Sequence, residues 1–132
     1  MRDHTKLRAF ELADELALAT YRATAVFPGE ERFGLVSLMR RAAVSTASNI
    51  VEGCARNGEA DYIRFLDMAH GSVHELEYQI TLAHRLGFLS ADAFEPLKAQ
   101  AAETAKVLNG LLRALRRGRS GGPPASGLQP PA

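Results

Sequence analysis

The chain has 132 residues, 46% of them apolar and 7% aromatic with no Trp, which suits one domain with an aliphatic core and excludes any need for disulfide or metal support. A formal net charge of +1 excludes a global field that would drive the protein onto nucleic acid or membrane, so such binding must come from a local patch. Cys54 is the only cysteine; an intrachain disulfide is excluded, and with no base nearby in sequence it reads as a half-buried small residue near a helix end, not a catalytic thiol.

The opening "MRDHTKLRAF" has no apolar signal core, and no run approaches the ~20 residues that span a bilayer. A soluble, cytoplasmic protein is expected. Strong breaks fall at "FPGEERFG" (27–34) and "LGFLS" (86–90), with a softer one at "EGCARNG" (52–58). They leave four helix-length segments at about 5–26, 30–56, 59–86 and 91–117, and nothing alternates as a strand would.

In the first segment Phe10, Ala13, Ala17, Tyr21 and Thr24 form one apolar stripe, and Leu12, Leu16, Ala19, Ala23 and Val26 a second beside it. A helix apolar over most of its circumference needs more than one core to cover it. The second stripe is therefore the expected subunit interface, against the plainer reading that its alanines cost little when exposed. The second segment is small and polar. Ala42, Ala43, Ser45, Ala47 and Ser48 let neighbouring backbones approach closely. Arg41, Ser45, Asn49 and Glu52 share one helix face at spacings of 4, 4 and 3. A polar row inside a bundle must be mutually hydrogen-bonded, so Arg41 and Glu52 are expected to be linked through Ser45 and Asn49, a structural row that specifies register. Catalysis by Glu52 is disfavoured, because no second carboxylate or histidine stands at a useful spacing.

The third segment carries Tyr62, Leu66, Ala69, Val73, Leu76, Ile80 and Ala83, stepping 4, 3, 4, 3, 4, 3, the seam of a left-handed bundle. His70, His74 and Glu77 are spaced to hold a divalent cation, but they flank the seam and read as rim residues; no metal or other cofactor is expected. Gly87 suits the left-handed end of this helix. The fourth segment repeats the seam with Phe94, Leu97, Ala101, Thr104, Leu108, Leu111 and Leu115, behind an N-cap at Ser90 and Asp92 in the first turn. The tail "GRSGGPPASGLQPPA" from Gly118 has little to bury and reads as disordered. Short connections between the helices force antiparallel neighbours, giving an all-α, up-down-up-down four-helix bundle.

In such a bundle Lys6, Arg8, Arg56, Arg113, Arg116, Arg117 and Arg119 gather with Arg2 at one end, against Asp3, Glu59 and Asp61. The other end mixes Glu30, Glu31, Asp92 and Glu95 with Arg22, Arg32, Arg85 and Lys98 and is close to neutral. The basic end is a candidate phosphate-binding face; as charges closing the fourth helix, its arginines also complement the helix dipole.

"FPGEERFGLVSLMRRAAVSTASNIVEGCAR" followed by "FLDMAHGSVHELEYQITLAHRLGFLS" resembles the family of four-helix bundle proteins encoded in intervening sequences of bacterial 23S rRNA genes. The likeness runs from about Leu7 to Leu112. It is carried by Phe27-Pro28, Glu31-Arg32, Gly34-Leu35, Arg40-Arg41-Ala42 with Ser45, Ser48-Asn49-Ile50, Glu52-Gly53, Arg56, Phe65-Leu66, Gly71-Ser72 and Glu75-Leu76-Glu77. Leu38 stands where the family usually has Gln, Ala47 where Pro is common, and Gly58 where Ser is typical, leaving Asp61 to stabilise the first turn of helix three. The resemblance implies a ring-like homopentamer similar to the accessory proteins of diversity-generating retroelements, which bind nucleic acid through basic surfaces and partner a reverse transcriptase. Two functions are compatible with these residues. One is a non-enzymatic oligomeric adaptor that binds RNA or DNA backbone through the basic end. The other is an oligomer serving structure or protein binding, without nucleic-acid affinity.

Overall fold

The structure, a computed structural model, describes residues 1–120, with the side chains of 119 and 120 outside that description. Four α-helices run over Arg8–Thr24 (α1), Leu35–Cys54 (α2), Glu59–Arg85 (α3) and Ala91–Ser120 (α4), with single 3-10 turns at His4–Lys6 and Gly29–Glu31. The described residues include no strand. Around the core α1 packs on α2 and α4, and α3 packs on the same two helices, so α1 and α3 lie diagonally opposed. The expected disordered tail falls mostly outside the described residues. Its first residues differ from expectation: α4 continues through Gly118 to Ser120, because an exposed last turn tolerates a glycine at a cost of only about 1 kcal/mol.

The helix starts also differ from the sequence reading, for local chemical reasons. Asp3 accepts from the Thr5 N–H (3.0 Å) and the Thr5 hydroxyl (2.6 Å), which closes a 3-10 turn and holds Leu7 extended (φ −92°, ψ 128°), so α1 begins only at Arg8. Glu31 does not enter α2. Its carboxylate caps that helix by accepting from the Leu35 N–H (3.2 Å). Gly87 (φ +84°) ends α3 as expected, with Gly87 N–H bonded to His84 O (3.0 Å) and Phe88 N–H to Ala83 O (2.9 Å), the two bonds of a Schellman cap. Ser90 caps α4 through its hydroxyl to Ala93 N–H (3.3 Å).

All seven seam residues of α3 are buried. In α4 the seam holds from Phe94 to Leu108, and then Leu112 is buried while Leu111 and Leu115 are half-buried. Leu112 lies five turns of 3.6 residues after Phe94, so a helix with its natural period returns there to the core face instead of following a strict heptad. In α1 the buried stripe is Ala9, Ala13, Leu16, Thr20 and Thr24, drawn from between the two expected stripes. The buried threonines are satisfied locally, Thr20 donating to Leu16 O (2.7 Å) and Thr24 to Thr20 O (2.8 Å).

The small residues of α2 have a clear packing role. Ala42, Ala43, Thr46, Ile50 and Gly53 are buried. A Cβ on Gly53 would stand 3.0 Å from Phe65 Cβ and 3.3 Å from the Tyr62 carbonyl oxygen. The backbones of α2 and α3 therefore approach closely at Gly53, where a side chain would press on Phe65 and Tyr62. At the far end of the bundle Phe27 is buried in the α1–α2 connection, 5.6 Å from the Phe88 ring in the α3–α4 connection.

Candidate nucleic-acid interface

The N-terminal segment reaches the corner between α2 and α3, where Arg2 N–H donates to Cys54 O (2.8 Å). The Arg2 guanidinium pairs with Glu59 (2.8 Å) and lies 3.8 Å from the centre of the Tyr62 ring. Arg56 pairs with Glu52 (2.6 Å), lies over Phe65 at 4.8 Å, and buries its Nε without a hydrogen-bond partner. Arg8 stands 3.9 Å from Glu11, and Arg116 is paired with Asp67 across α3 and α4. Three of the expected phosphate-binding cations, Arg8, Arg56 and Arg116, and Arg2 beside them thus already face carboxylates. The side chain of Arg119 lies outside the described residues. Lys6, Arg113 and Arg117 have no ion-pair partner among the described residues. Glu11, Glu52 and Asp67, which the sequence reading did not set against this cluster, account for the difference.

The polar row of α2 divides in two. Asn49 donates to Ser45 O (2.9 Å) and Ser45 Oγ (3.0 Å), and Ser45 Oγ meets Ser72 Oγ of α3 at 2.9 Å. Arg41 and Glu52, by contrast, are exposed, and Glu52 is engaged by Arg56. Arg41 and Glu52 are not bridged through the row, because the helix period places both ends of it on the outer surface. The expected interface stripe of α1 also needs one correction. Leu16 is fully buried inside the subunit and cannot meet a neighbour, whereas Leu12, Ala19 and Ala23 are half-buried and Val26 is 81% exposed.

A feature absent from the sequence reading lies between α1, the α1–α2 connection and α2. Tyr21, Phe33 and Val44 line a cleft of about 570 Å³ together with Arg32, Arg40 and Arg41. Arg40 is fixed by bonds from Nε to Thr24 Oγ1 (2.9 Å) and from its terminal nitrogen to Tyr21 O (3.2 Å), with its guanidinium 4.4 Å from the centre of the Tyr21 ring. None of the three arginines meets a carboxylate among the described residues.

A family described as 23S rRNA-intervening sequence protein matches residues 5–110. The chain belongs to that family. A solved structure, described as a protein with unknown function from the S23 ribosomal protein family of Bacteroides thetaiotaomicron VPI-5482, has a TM-score of 0.72 at 21% identity, covering 80% of this chain and 98% of that one. At this identity the likeness establishes the fold alone. No curated protein matches the chain.

Burial pushes the Cys54 thiol up, away from the thiolate that a nucleophile requires. Among the described residues, no group of three or more His, Cys, Asp or Glu is arranged to hold a metal, and no helix is long and apolar enough to cross a membrane. His74 Nδ1 lies 3.0 Å from Glu77, and the His70 and His74 rings meet edge to face at 4.4 Å.

Burial and then the neighbouring His74 hold the His70 pKa below the ordinary histidine value, against the opposing pull of Asp67 and Glu77. A histidine depressed in the folded state binds its proton more readily when unfolded, so its contribution to stability is complete above the unfolded value of about 6.5 and is lost as pH falls towards the folded value. The urea midpoint of the protein is expected to fall between pH ~7 and ~5, and His70→Asn to flatten that slope. An unchanged slope in the variant would refute the assignment to His70.

Proposed function

We propose that this protein is a non-enzymatic, self-assembling adaptor that binds the backbone of RNA or DNA in the cytoplasm. Its subunit is a single up-down-up-down bundle. The ring-like homopentamer forms through the outward side of α1, with Leu12, Ala19, Ala23 and Val26 at the contact. The observation carrying the nucleic-acid part is that, among the described residues, Lys6, Arg113 and Arg117 lack carboxylate partners while Arg2, Arg8, Arg56 and Arg116 have them. A few uncompensated charges per subunit, repeated around a ring, make a multivalent and salt-sensitive phosphate surface.

A second reading, an oligomer serving structure or protein binding alone, is favoured by the pairing of Arg2, Arg8, Arg56 and Arg116 described above. Titration of labelled duplex and single-stranded RNA and DNA at ~50 mM and ~200 mM salt separates the two. The adaptor binds at low salt, and changing Arg113 and Arg117 to Ala lowers the salt slope by about one per contact removed. Absence of both duplex and single-strand binding at low salt decides for the second reading. Light scattering that reports a monomer at micromolar concentration would sink the assembly.

A further inference from the structure

The cleft between α1 and α2 joins unpaired cations, which the bundle end also has, to exposed aromatic surface, which the bundle-end site does not use. Its three arginines, Arg32, Arg40 and Arg41, form no ion pair among the described residues, although Glu75 lines the adjoining hollow with Arg41. The cleft also presents aromatic faces: Phe33 is 88% exposed and Tyr21 45% exposed. Each ring comes with a guanidinium, Arg40 over Tyr21 at 4.4 Å and Arg32 near Phe33 at 5.9 Å. Arg40 spends its bonds on neutral acceptors, Thr24 Oγ1 and Tyr21 O, so its full charge remains for a ligand.

A ligand matched to this surface carries a flat aromatic group and an anion a few ångströms apart. Base–aromatic stacking contributes about 1–3 kcal/mol per base, and guanidinium groups both stack and bind phosphate. A volume of about 570 Å³ is in the range of clefts that enclose a small organic group. We propose that this cleft holds one unstacked nucleotide of a single-stranded RNA or DNA, with the base against Phe33 and Tyr21 and the adjoining phosphate on Arg41 and Arg32. The inference rests on the nucleic-acid reading above but not on the bundle-end site. Duplex nucleic acid keeps its bases stacked inside and does not use the cleft.

The experiment uses the full chain and fluorescence anisotropy with a labelled single-stranded oligonucleotide and a labelled duplex of the same length. Phe33 is almost wholly exposed, so Phe33→Ala keeps the fold, which circular dichroism checks. The variant is expected to weaken single-strand binding about 10-fold while leaving duplex binding unchanged. Arg41→Gln is expected to weaken single-strand binding and lower its salt slope by about one.

Wild-type single-strand binding by the Phe33→Ala protein overturns the proposal. So does displacement of the probe by an acidic aromatic peptide or by a nucleoside monophosphate at matched concentration, which would assign the cleft to a protein partner or to a free nucleotide. A change of oligomeric mass in Phe33→Ala overturns it in favour of a second copy of the chain as the occupant. The two sites fail separately. Duplex binding that is absent while single-strand binding persists removes the bundle-end site and keeps the cleft, and the reverse removes the cleft alone.

Discussion

Gly53→Val is expected to destabilise the protein by about 3 kcal/mol, because the added atoms have no space between α2 and α3. The first of them would meet Phe65 Cβ at 3.0 Å and the Tyr62 carbonyl oxygen at 3.3 Å. Neither neighbour is the tip of a flexible side chain, so relief requires α2 to move off α3 as a body. That movement would also stretch the Ser45–Ser72 hydrogen bond farther up the same helix pair. Gly53→Ala is expected to cost less, since the better helix propensity of alanine, about 1 kcal/mol, offsets part of the clash. Urea denaturation at fixed protein concentration measures both. A valine variant as stable as the parent would mean that α2 and α3 do not approach as closely as the structure has them.

Leu16→Ala is the second large effect, at about 3 kcal/mol. Leu16 is fully buried among the core residues of all four helices, and truncating such a leucine removes transfer free energy and leaves a cavity. Val26→Ser, on the same expected interface stripe but 81% exposed, should leave subunit stability within about 0.5 kcal/mol and weaken assembly instead. Denaturation and light scattering on the two variants separate these roles. If Leu16→Ala is as stable as wild type and only its oligomeric mass falls, the burial of Leu16 within the subunit is wrong. If Val26→Ser keeps both stability and mass, the α1 contact is wrong.

The seam of α3 could be read from spacing because every member is large or aliphatic and the spacing is regular over the whole helix. The caps at Ser90 and Gly87 were legible for a similar reason: each depends on one residue's own conformational chemistry. The role of Gly53 was not legible. A glycine near a helix end reads as a stop signal, and only the facing Tyr62 and Phe65 reveal that it is a contact. The basic end was half legible. Counting basic residues near helix ends located Lys6, Arg113 and Arg117, but whether a cation is spent depends on a carboxylate delivered by another element, as Asp67 is delivered to Arg116. The α1–α2 cleft was hidden for the same reason. Tyr21 lies in α1, Phe33 in the α1–α2 connection and Arg41 in α2, and no periodicity within one helix points at the others. The polar row failed at its ends because helical spacing tells which residues share a face but not where that face meets water.

The corner closed by Arg2 bears on how the protein is made. Its guanidinium waits for Glu59, 57 residues along the chain, and its amide for Cys54. At ordinary ribosomal speeds that wait is about 3 to 11 seconds. During translation α1 is complete well before α2 and the first turn of α3 can receive the N-terminal segment, so this corner is sealed only after the α2–α3 pair has emerged. A nascent chain stalled short of Glu59 would expose an unanchored first helix to chaperones and proteases.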